Sequence, residues 1–415
     1  MTAQSGSARS DKVKLIVVLF TCMFVMGIDR SSLGVAAPLI MKAYKIDAAS
    51  MGIALSAFFW AYAAFNLPGG NLADRLGSKV VLGWAAVIWS LASAATGLAG
   101  GLIALIGARF VVGIGEAGVW PITGKIAAER FVAKERGTAV GLYQSGARLG
   151  YAATPIIMGF LIAHYSWRLA FVITGLGSLL WCVLWYYWYK EKDSSQPGPS
   201  SAPKSKVVIP WKQLLTNRCT LGLFFAKFCA DYLYFMFLTW VPAYLVMERG
   251  FSILKMGIYA SLPFFTAFLT QPLLGYFSDW LVKQGCSLTW ARKGVLVGAQ
   301  ICASSIMVVG FVDSPMVAVA ILTLNMAAAS TTGGLTWTLC TDVAPEGMAG
   351  TLGGGMNAVS STGGILAPAI TGLIVKITGS FQLALAVGGV LLVMAACAVL
   401  FVVPEVKPIA LKARA

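Results

Sequence analysis

Charge is scarce in this 415-residue chain. Only 11% of its residues are Asp, Glu, Lys or Arg, against roughly 25% in an average soluble protein. Hydrophobic residues make up 58%, and the mean hydropathy is +0.79. A water-soluble domain of this length could not cover its surface with so few charges, which argues against a globular cytosolic enzyme. The same wealth of apolar and aromatic residues excludes a disordered chain. Acidic residues are scarcer than basic ones, 16 against 31, leaving a formal charge of +15. In a soluble protein such a surplus points to nucleic acid, whereas in a membrane chain it belongs to cytoplasmic loops. There is one histidine, His164. It falls at the outer end of an apolar stretch and reads as a surface residue, not a proton relay. The eight cysteines lie mostly inside apolar stretches at irregular spacing, without CxxC pairs. They read as small packing residues, not as disulfides or metal ligands. No P-loop, metal cluster or nucleophile triad is present, so neither an enzyme nor a cofactor is expected.

What the chain has instead is a succession of apolar stretches long enough, at about 20 residues, to cross a bilayer. They fall near 14–39, 51–72, 79–98, 101–122, 138–163, 169–188, 220–246, 256–281, 294–312, 315–339, 351–376 and 382–403. The first exceeds the 7–15 apolar residues of a signal-peptide core and reads as a retained anchor. With the N-terminus inside, 21 basic residues face the cytoplasm, 6 face the other side, and Arg30, Arg109, Arg148 and Lys227 remain within spans. That asymmetry fits the positive-inside rule with both termini cytoplasmic, and it removes the case for nucleic acid.

Residues 190–212 are the one long polar stretch rich in Pro, Gly and Ser, a composition that makes a linker. It divides the spans six and six, giving an N-terminal half at 1–189 and a C-terminal half at 213–415. The halves are related in sequence. At a constant offset of 213, Gly137 and Thr138 match Gly350 and Thr351, Gly141 matches Gly354, and Gly150 matches Gly363. Pro155 then matches Pro368, and Gly159 matches Gly372. Parallel six-helix halves with a substrate site between them at mid-membrane describe one class of secondary transporter.

A charge inside a span costs at least about 2.5–3.5 kcal/mol on insertion scales, so each one is a functional hypothesis. Asp29 and Arg30 interrupt span one, Arg109 and Glu116 lie in span four, Arg148 in span five, and Lys227 with Asp231 in span seven. Arg109 and Glu116 are seven apart and return to nearly the same helix face. Lys227 and Asp231 are spaced to pair along one helix. Asp29 and Arg30, about 100° apart on the wheel, share one spot only if the helix is irregular there, which Gly27 and Gly34 would tolerate. Low dielectric disfavours a carboxylate's charged form, so Asp29 and Glu116 are candidate proton carriers. Arginine stays charged and offers a fork that suits a carboxylate. Acids to carry protons and bases to hold an anion together suggest proton–organic-anion symport.

The segment GGNLADRLGSK at 69–79, between the second and third spans, closely resembles the loop signature of the major facilitator superfamily. Its glycines, Gly70 and Gly77 among them, would make a tight turn, and Asp74 beside Arg75 would latch one conformation through a charge contact. The second half keeps the Gly and Asp of this motif at Gly275 and Asp279. GIDRSSLGVAAP in span one, the RxxxGxGE run before Trp120-Pro121, WRLAF at 167–171 and the stretch GGILAPAITGLIVKITGSF at 363–381 resemble the anion:cation symporter branch. That branch includes bacterial galactonate, glucarate and hexuronate carriers and animal vesicular glutamate and sialic acid carriers.

The resemblance implies proton binding by Asp29 and Glu116, an acidic network held by Arg109, and a substrate carboxylate on Arg30, with Tyr62 lining the site. Arg148 and Gly27 depart from the galactonate carrier's pattern, and KFCAD at 227–231 looks more like the hexuronate subgroup. Gln144 and Asn357 match across the repeat and, with Trp337, are further candidates for contact with substrate hydroxyls. The expectation is an all-α integral membrane protein with twelve spans in two pseudo-symmetric halves. It would be a monomer in a cell membrane, a bacterial inner membrane, importing a small organic anion with protons. A sugar acid such as a hexuronate, aldonate or aldarate is the expected cargo. A smaller or aromatic carboxylate is the alternative, a drug/proton antiporter is disfavoured by the arginines, and a non-transporting membrane sensor is the rival of another class.

Overall fold

The computed structural model describes residues 2–191, 211–345 and 348–409, and for 2–9, 67, 133 and 134 the backbone alone. The linker foreseen at 190–212 therefore lies, except for its two ends, outside the described residues. Among these residues the fold is helical, with no strand. In chain order come α1 (Thr2–Tyr44), α2 (Ala48–Leu76), α3 (Ser78–Leu98), α4 (Leu102–Ala117), α5 (Val119–Arg130), α6 (Ala133–His164) and α7 (Trp167–Trp188). The second half continues with α8 (Trp211–Leu215), α9 (Arg218–Met247), α10 (Ile253–Lys283), α11 (Leu288–Ala303), α12 (Ile306–Val309), α13 (Pro315–Val343), α14 (Ala349–Thr378) and α15 (Gln382–Cys397), which ends in a π-turn at Ala398–Val402.

Eleven stretches are long and apolar enough to cross a membrane, with α4–α5 and α11–α12 each forming one span broken by a short kink. Helix α1 precedes them, its apolar run interrupted by Asp29 and Arg30. The protein is a multi-pass helical membrane protein. Helix α1 passes Asp29 and Arg30 without a break, so the irregularity that would have aimed both side chains at one spot does not occur. The loop at 69–79 is also shorter than its sequence suggests. Helix α2 runs on to Leu76, and the chain reverses at Gly77 alone, whose φ of +88° is open to glycine at little cost. Gly70 is still helical and lies against the Pro121 ring on α5.

The described residues form two compact units. One holds 2–46, 53–191 and Phe251–Ser261, and the other holds Asp47–Gly52, 211–250 and 262–409. Each half thus includes a short segment that chain order alone assigns to its counterpart. In the first unit α1 packs mainly on α6, and α3 on α7 and α4. In the second, α9 packs on α14, and α11 on α13. The repeat matters here. A Cβ on Gly150 would come within 2.4 Å of the Phe24 carbonyl oxygen and 3.1 Å of the Gly27 Cα. Its match across the repeat, Gly363, would meet the Tyr232 backbone nitrogen at 3.0 Å. Both glycines let the fifth span of their half close on its first, which is close small-residue packing with dispersion in place of a hydrophobic driving force.

Outside the bilayer, Asp47 precedes α2 and accepts from the Ser50 backbone N–H at 2.8 Å, while the Lys376 ammonium lies 2.8 Å from its other oxygen. These two partners pull its carboxyl down to about 2.

Two tests follow from this packing. Gly150→Val should destabilise the purified protein by about 1–3 kcal/mol, because the obstacle is backbone that cannot swing aside. Gly141→Ala, on the same helix with open space around its Cα, should be neutral or slightly stabilising in the same unfolding assay. Because the carboxyl of Asp47 is depressed in the folded protein, its contribution is complete above about pH 4 and is lost as pH falls toward 2. Asp47→Asn should therefore lower the melting temperature at neutral pH, and the gap from wild type should close on acidification through that window.

Candidate functional site

The charges of spans one and four meet in the first unit, out of contact with water. Asp29 and Glu116 are fully buried, Arg109 is 2% exposed and Arg30 9%. Because α1 is regular, its two adjacent charges point to different neighbours. Asp29 turns toward α3 and α7, where Ser93 donates to Oδ1 and Ser178 to Oδ2, each at 2.7 Å. Arg30 turns toward α4, and its Nε and Nη2 both lie 2.9 Å from Glu116 Oε2. The guanidinium also lies over the stacked rings of Phe58 and Tyr62 on α2, 4.9 and 4.7 Å from their centroids. Planar arginine can make such a stack and a forked ion pair together, as lysine cannot.

Arg109 does something other than pair with an acid. Its Nη1 and Nη2 donate to the backbone carbonyls of Asp29 and Arg30 at 3.2 and 3.3 Å. It thereby anchors the α1 backbone at the point where both charges emerge, and its field faces both carboxylates. Two carboxylates and two guanidiniums balance formally, which is how a low-dielectric interior tolerates four charges. Among the described residues, two atoms in the cluster have no hydrogen-bond partner, Glu116 Oε1 and Arg109 Nε. Beside the cluster Ser31 donates to Thr154 on α6 at 2.8 Å.

The structure thus brings together Asp29, Arg30, Arg109, Glu116 and Tyr62. It leaves Arg148 and Gln144 half-buried on α6, Arg148 without an ion pair among the described residues. Asn357, half-buried, and Trp337, 40% exposed, belong to the second unit, where the Trp337 ring covers Gly353. Lys227 and Asp231 form an ion pair in that unit too, and Ser360 of α14 donates to the same Asp231 oxygen. At the α2–α3 turn, Asp74 pairs with Lys125 of α5 at 3.0 Å, and Arg75 is exposed. Glu191 accepts from the Ser78 and Lys79 backbone N–H groups at 2.6 and 3.1 Å, capping α3 just past Gly77. In the second half Arg292 bridges Asp279 at 2.6 Å and Asp342 at 3.0 Å.

Sequence reasoning passed over Ser93, Ser178 and Phe58. Short hydroxyl side chains recur throughout these spans, and nothing local sets Ser93 apart from Ser90. Among the described residues no group of three or more His, Cys, Asp or Glu could hold a metal ion.

Apolar helices in two units, the first unit enclosing a balanced set of four charges, define a polytopic membrane protein with an ionic site inside its first half. Residues 19–368 match the family model of the Major Facilitator Superfamily, and the chain belongs to this family. It is 35% identical to the hexuronate transporter of Bacillus subtilis (strain 168) over 402 residues, covering 94% of each chain. It is 33% identical over 434 residues to a probable galactarate/D-glucarate transporter of the same organism, covering 98% of this chain and 95% of the other. Among solved structures it is similar to a bacterial homolog of the human lysosomal transporter Spinster, in an inward-facing and occupied conformation. That likeness has a TM-score of 0.76 at 19% identity and covers 93% of this chain and 96% of the other.

The serine clamp is testable by a double-mutant cycle. Ser93→Ala should cost about 1.5–3 kcal/mol of stability, the worth of a hydrogen bond to a charged acceptor. In an Asp29→Asn background the same change should cost about half as much, because the acceptor is then neutral. Equal costs in the two backgrounds, measured by unfolding in detergent, would mean that Ser93 braces helices and does not hold the carboxylate.

Proposed function

We propose that this protein is a secondary active transporter that imports a sugar acid together with protons. The observation that carries the reading is the Arg30–Glu116 pair: among the described residues, Glu116 is the ion-pair partner of Arg30, and Glu116 Oε1 is unpartnered. A proton arriving on Oε1 breaks no existing hydrogen bond and cancels the charge that neutralises Arg30. A guanidinium without a counter-charge inside a membrane protein is costly, so it then takes a carboxylate from the substrate. Proton and anion enter together because each removes the cost created by the other.

Asp29 supplies a second proton site. Ser178 has one hydroxyl proton and two acceptors within reach, Asp29 Oδ2 at 2.7 Å and the Thr174 carbonyl at 2.9 Å. With Asp29 ionised, Ser178 donates to it. With Asp29 protonated, Asp29 donates to Ser178, which turns its own proton to Thr174. Either state is satisfied, as a reversible proton carrier requires. Arg109, tied to the α1 carbonyls, links the two sites.

Tyr62, Gln144, Arg148, Asn357 and Trp337 serve the substrate's hydroxyls and remaining charge in this reading, and Lys227 with Asp231 is an ion pair within the second half. The turn at Gly70–Gly77 with Asp74 and Arg75 latches one conformation, the Asp74–Lys125 contact being the ion pair that is made or broken. Substrate names come from the relatives, which carry hexuronate and galactarate or glucarate by description. The protein acts as a monomer in a cell membrane, the bacterial inner membrane, with both termini cytoplasmic, as the distribution of basic residues suggests.

In proteoliposomes, an imposed inward proton gradient should accelerate accumulation of glucuronate or glucarate. Uptake indifferent to the gradient would defeat the coupling. Glu116→Gln mimics the protonated acid permanently, so gradient-driven uptake should disappear while exchange of substrate across the membrane continues. Full gradient-driven uptake in that variant would remove Glu116 from the mechanism.

A further inference from the structure

Arg148 stands near the middle of α6, 15 residues past Ala133 and 16 before His164, so its charge belongs to the membrane interior. Its side chain is half-buried, and among the described residues it has neither an ion pair nor a hydrogen bond. The four charges around Arg30 cancel one another, which leaves Arg148 uncompensated inside the first unit. A cation at membrane depth without a counter-charge is costly, and an anion that arrives from outside removes that cost.

The fold places this cation beside the ionic site, within the same unit. Gln144, Arg148 and Tyr151 follow one another on α6 at i, i+4 and i+7 and form one stripe. Tyr151 is 5% exposed and lies within the electrostatic reach of both Arg148 and Arg30. The register of α1 on α6 accounts for the approach. A Cβ on Gly27 would come within 2.6 Å of the Ala147 carbonyl oxygen and 3.3 Å of the Tyr151 backbone nitrogen. One turn further along both helices, Ser31 donates to Thr154. Arg30 therefore leaves α1 close to Tyr151, about one turn of α6 beyond Arg148. Gly27 and Arg148 are also the two positions that depart from the galactonate carrier's pattern, and the structure makes them neighbours: the carbonyl facing Gly27 is that of Ala147, the residue before Arg148.

We propose that Arg148 sets a preference for dicarboxylic sugar acids: it takes the second carboxylate of a substrate whose first carboxylate is held on Arg30, with Tyr151 between the two anchors. This deepens the sugar-acid symport reading and rests on it. Both anchors belong to the first unit. A sugar acid with a single carboxylate engages Arg30 and leaves Arg148 without a counter-charge, so the diacid is the better substrate.

Glucarate and glucuronate are the probes, since glucarate has the additional carboxylate. Wild type, Arg148→Gln and Arg148→Lys are reconstituted in liposomes under the same inward proton gradient, and kcat/KM is measured for both substrates. Loss of a charge-assisted hydrogen bond to one carboxylate should lower the glucarate-to-glucuronate ratio of kcat/KM at least about tenfold in Arg148→Gln. Arg148→Lys, which keeps the charge, should retain most of the wild-type ratio. Arg148→Gln strands no partner, so its melting temperature without substrate should not fall, while the stabilisation that glucarate gives to wild type should shrink. An unchanged ratio in Arg148→Gln, through equal loss on both substrates or no loss on either, overturns the proposal. So does a lysine variant that loses the ratio as fully as the glutamine one, because charge is then not the cause. A wild-type protein that carries glucuronate but not glucarate overturns it while leaving the sugar-acid reading in place. A wild-type protein that carries neither overturns that reading, and this one with it.

Discussion

The ion pair between Arg30 and Glu116 is the constraint around which the first half is built. A single charge in the low-dielectric interior of a membrane protein has no water to solvate it, so it must be matched in sign and in hydrogen bonds. Four helices supply that match. Helix α4 brings the acid, α2 brings two ring faces over the guanidinium, and α3 and α7 bring the hydroxyls that hold the neighbouring Asp29. Arg109 then secures the α1 backbone from which both charges emerge. None of these positions can change independently, because each removes a partner from a group that cannot turn to solvent.

On the proposed function, that dependence also lets a site made of ion pairs couple two cargoes. A perfectly satisfied network would be inert. Among the described residues this one is nearly satisfied, with Glu116 Oε1 and Arg109 Nε unpartnered and one serine proton with a choice of two acceptors. The places where protons can be added without breaking a hydrogen bond lie on the two carboxylates of the cluster. Differential binding of this kind is what a ligand needs in order to shift a conformational equilibrium.

The two halves solve the packing problem alike and the charge problem differently. Gly150 and Gly363, matched across the repeat, let the fifth span of each half sit against its first. The first half nevertheless encloses a four-charge cluster, while the second carries Lys227 and Asp231 on a single helix with Ser360 opposite. The glycines matched across the repeat set a similar helix spacing in each half, and the polar residues on that frame differ between the halves.

Much of this was open to reading in the sequence, because the bilayer makes hydropathy and charge unusually informative. The helical membrane class, the family and the identity of the buried charges follow from residue types along a line. Asp29, Arg30, Arg109 and Glu116 stood out because charges inside apolar stretches are costly. Partnership did not follow. Which way Asp29 and Arg30 face depends on a regular α1 whose adjacent side chains diverge by about 100°, and the role of Arg109 toward backbone carbonyls leaves no mark in residue spacing. Ser93, Ser178 and Phe58 were invisible for the same reason: a serine or phenylalanine costs little anywhere in a span, and only the approach of other helices gives these three their contacts with the buried charges. Scarcity of charge identified the protein's environment and its sensitive residues, and tertiary structure decided which charge each residue answers, since Coulomb and hydrogen-bond energies depend on distances that only packing sets.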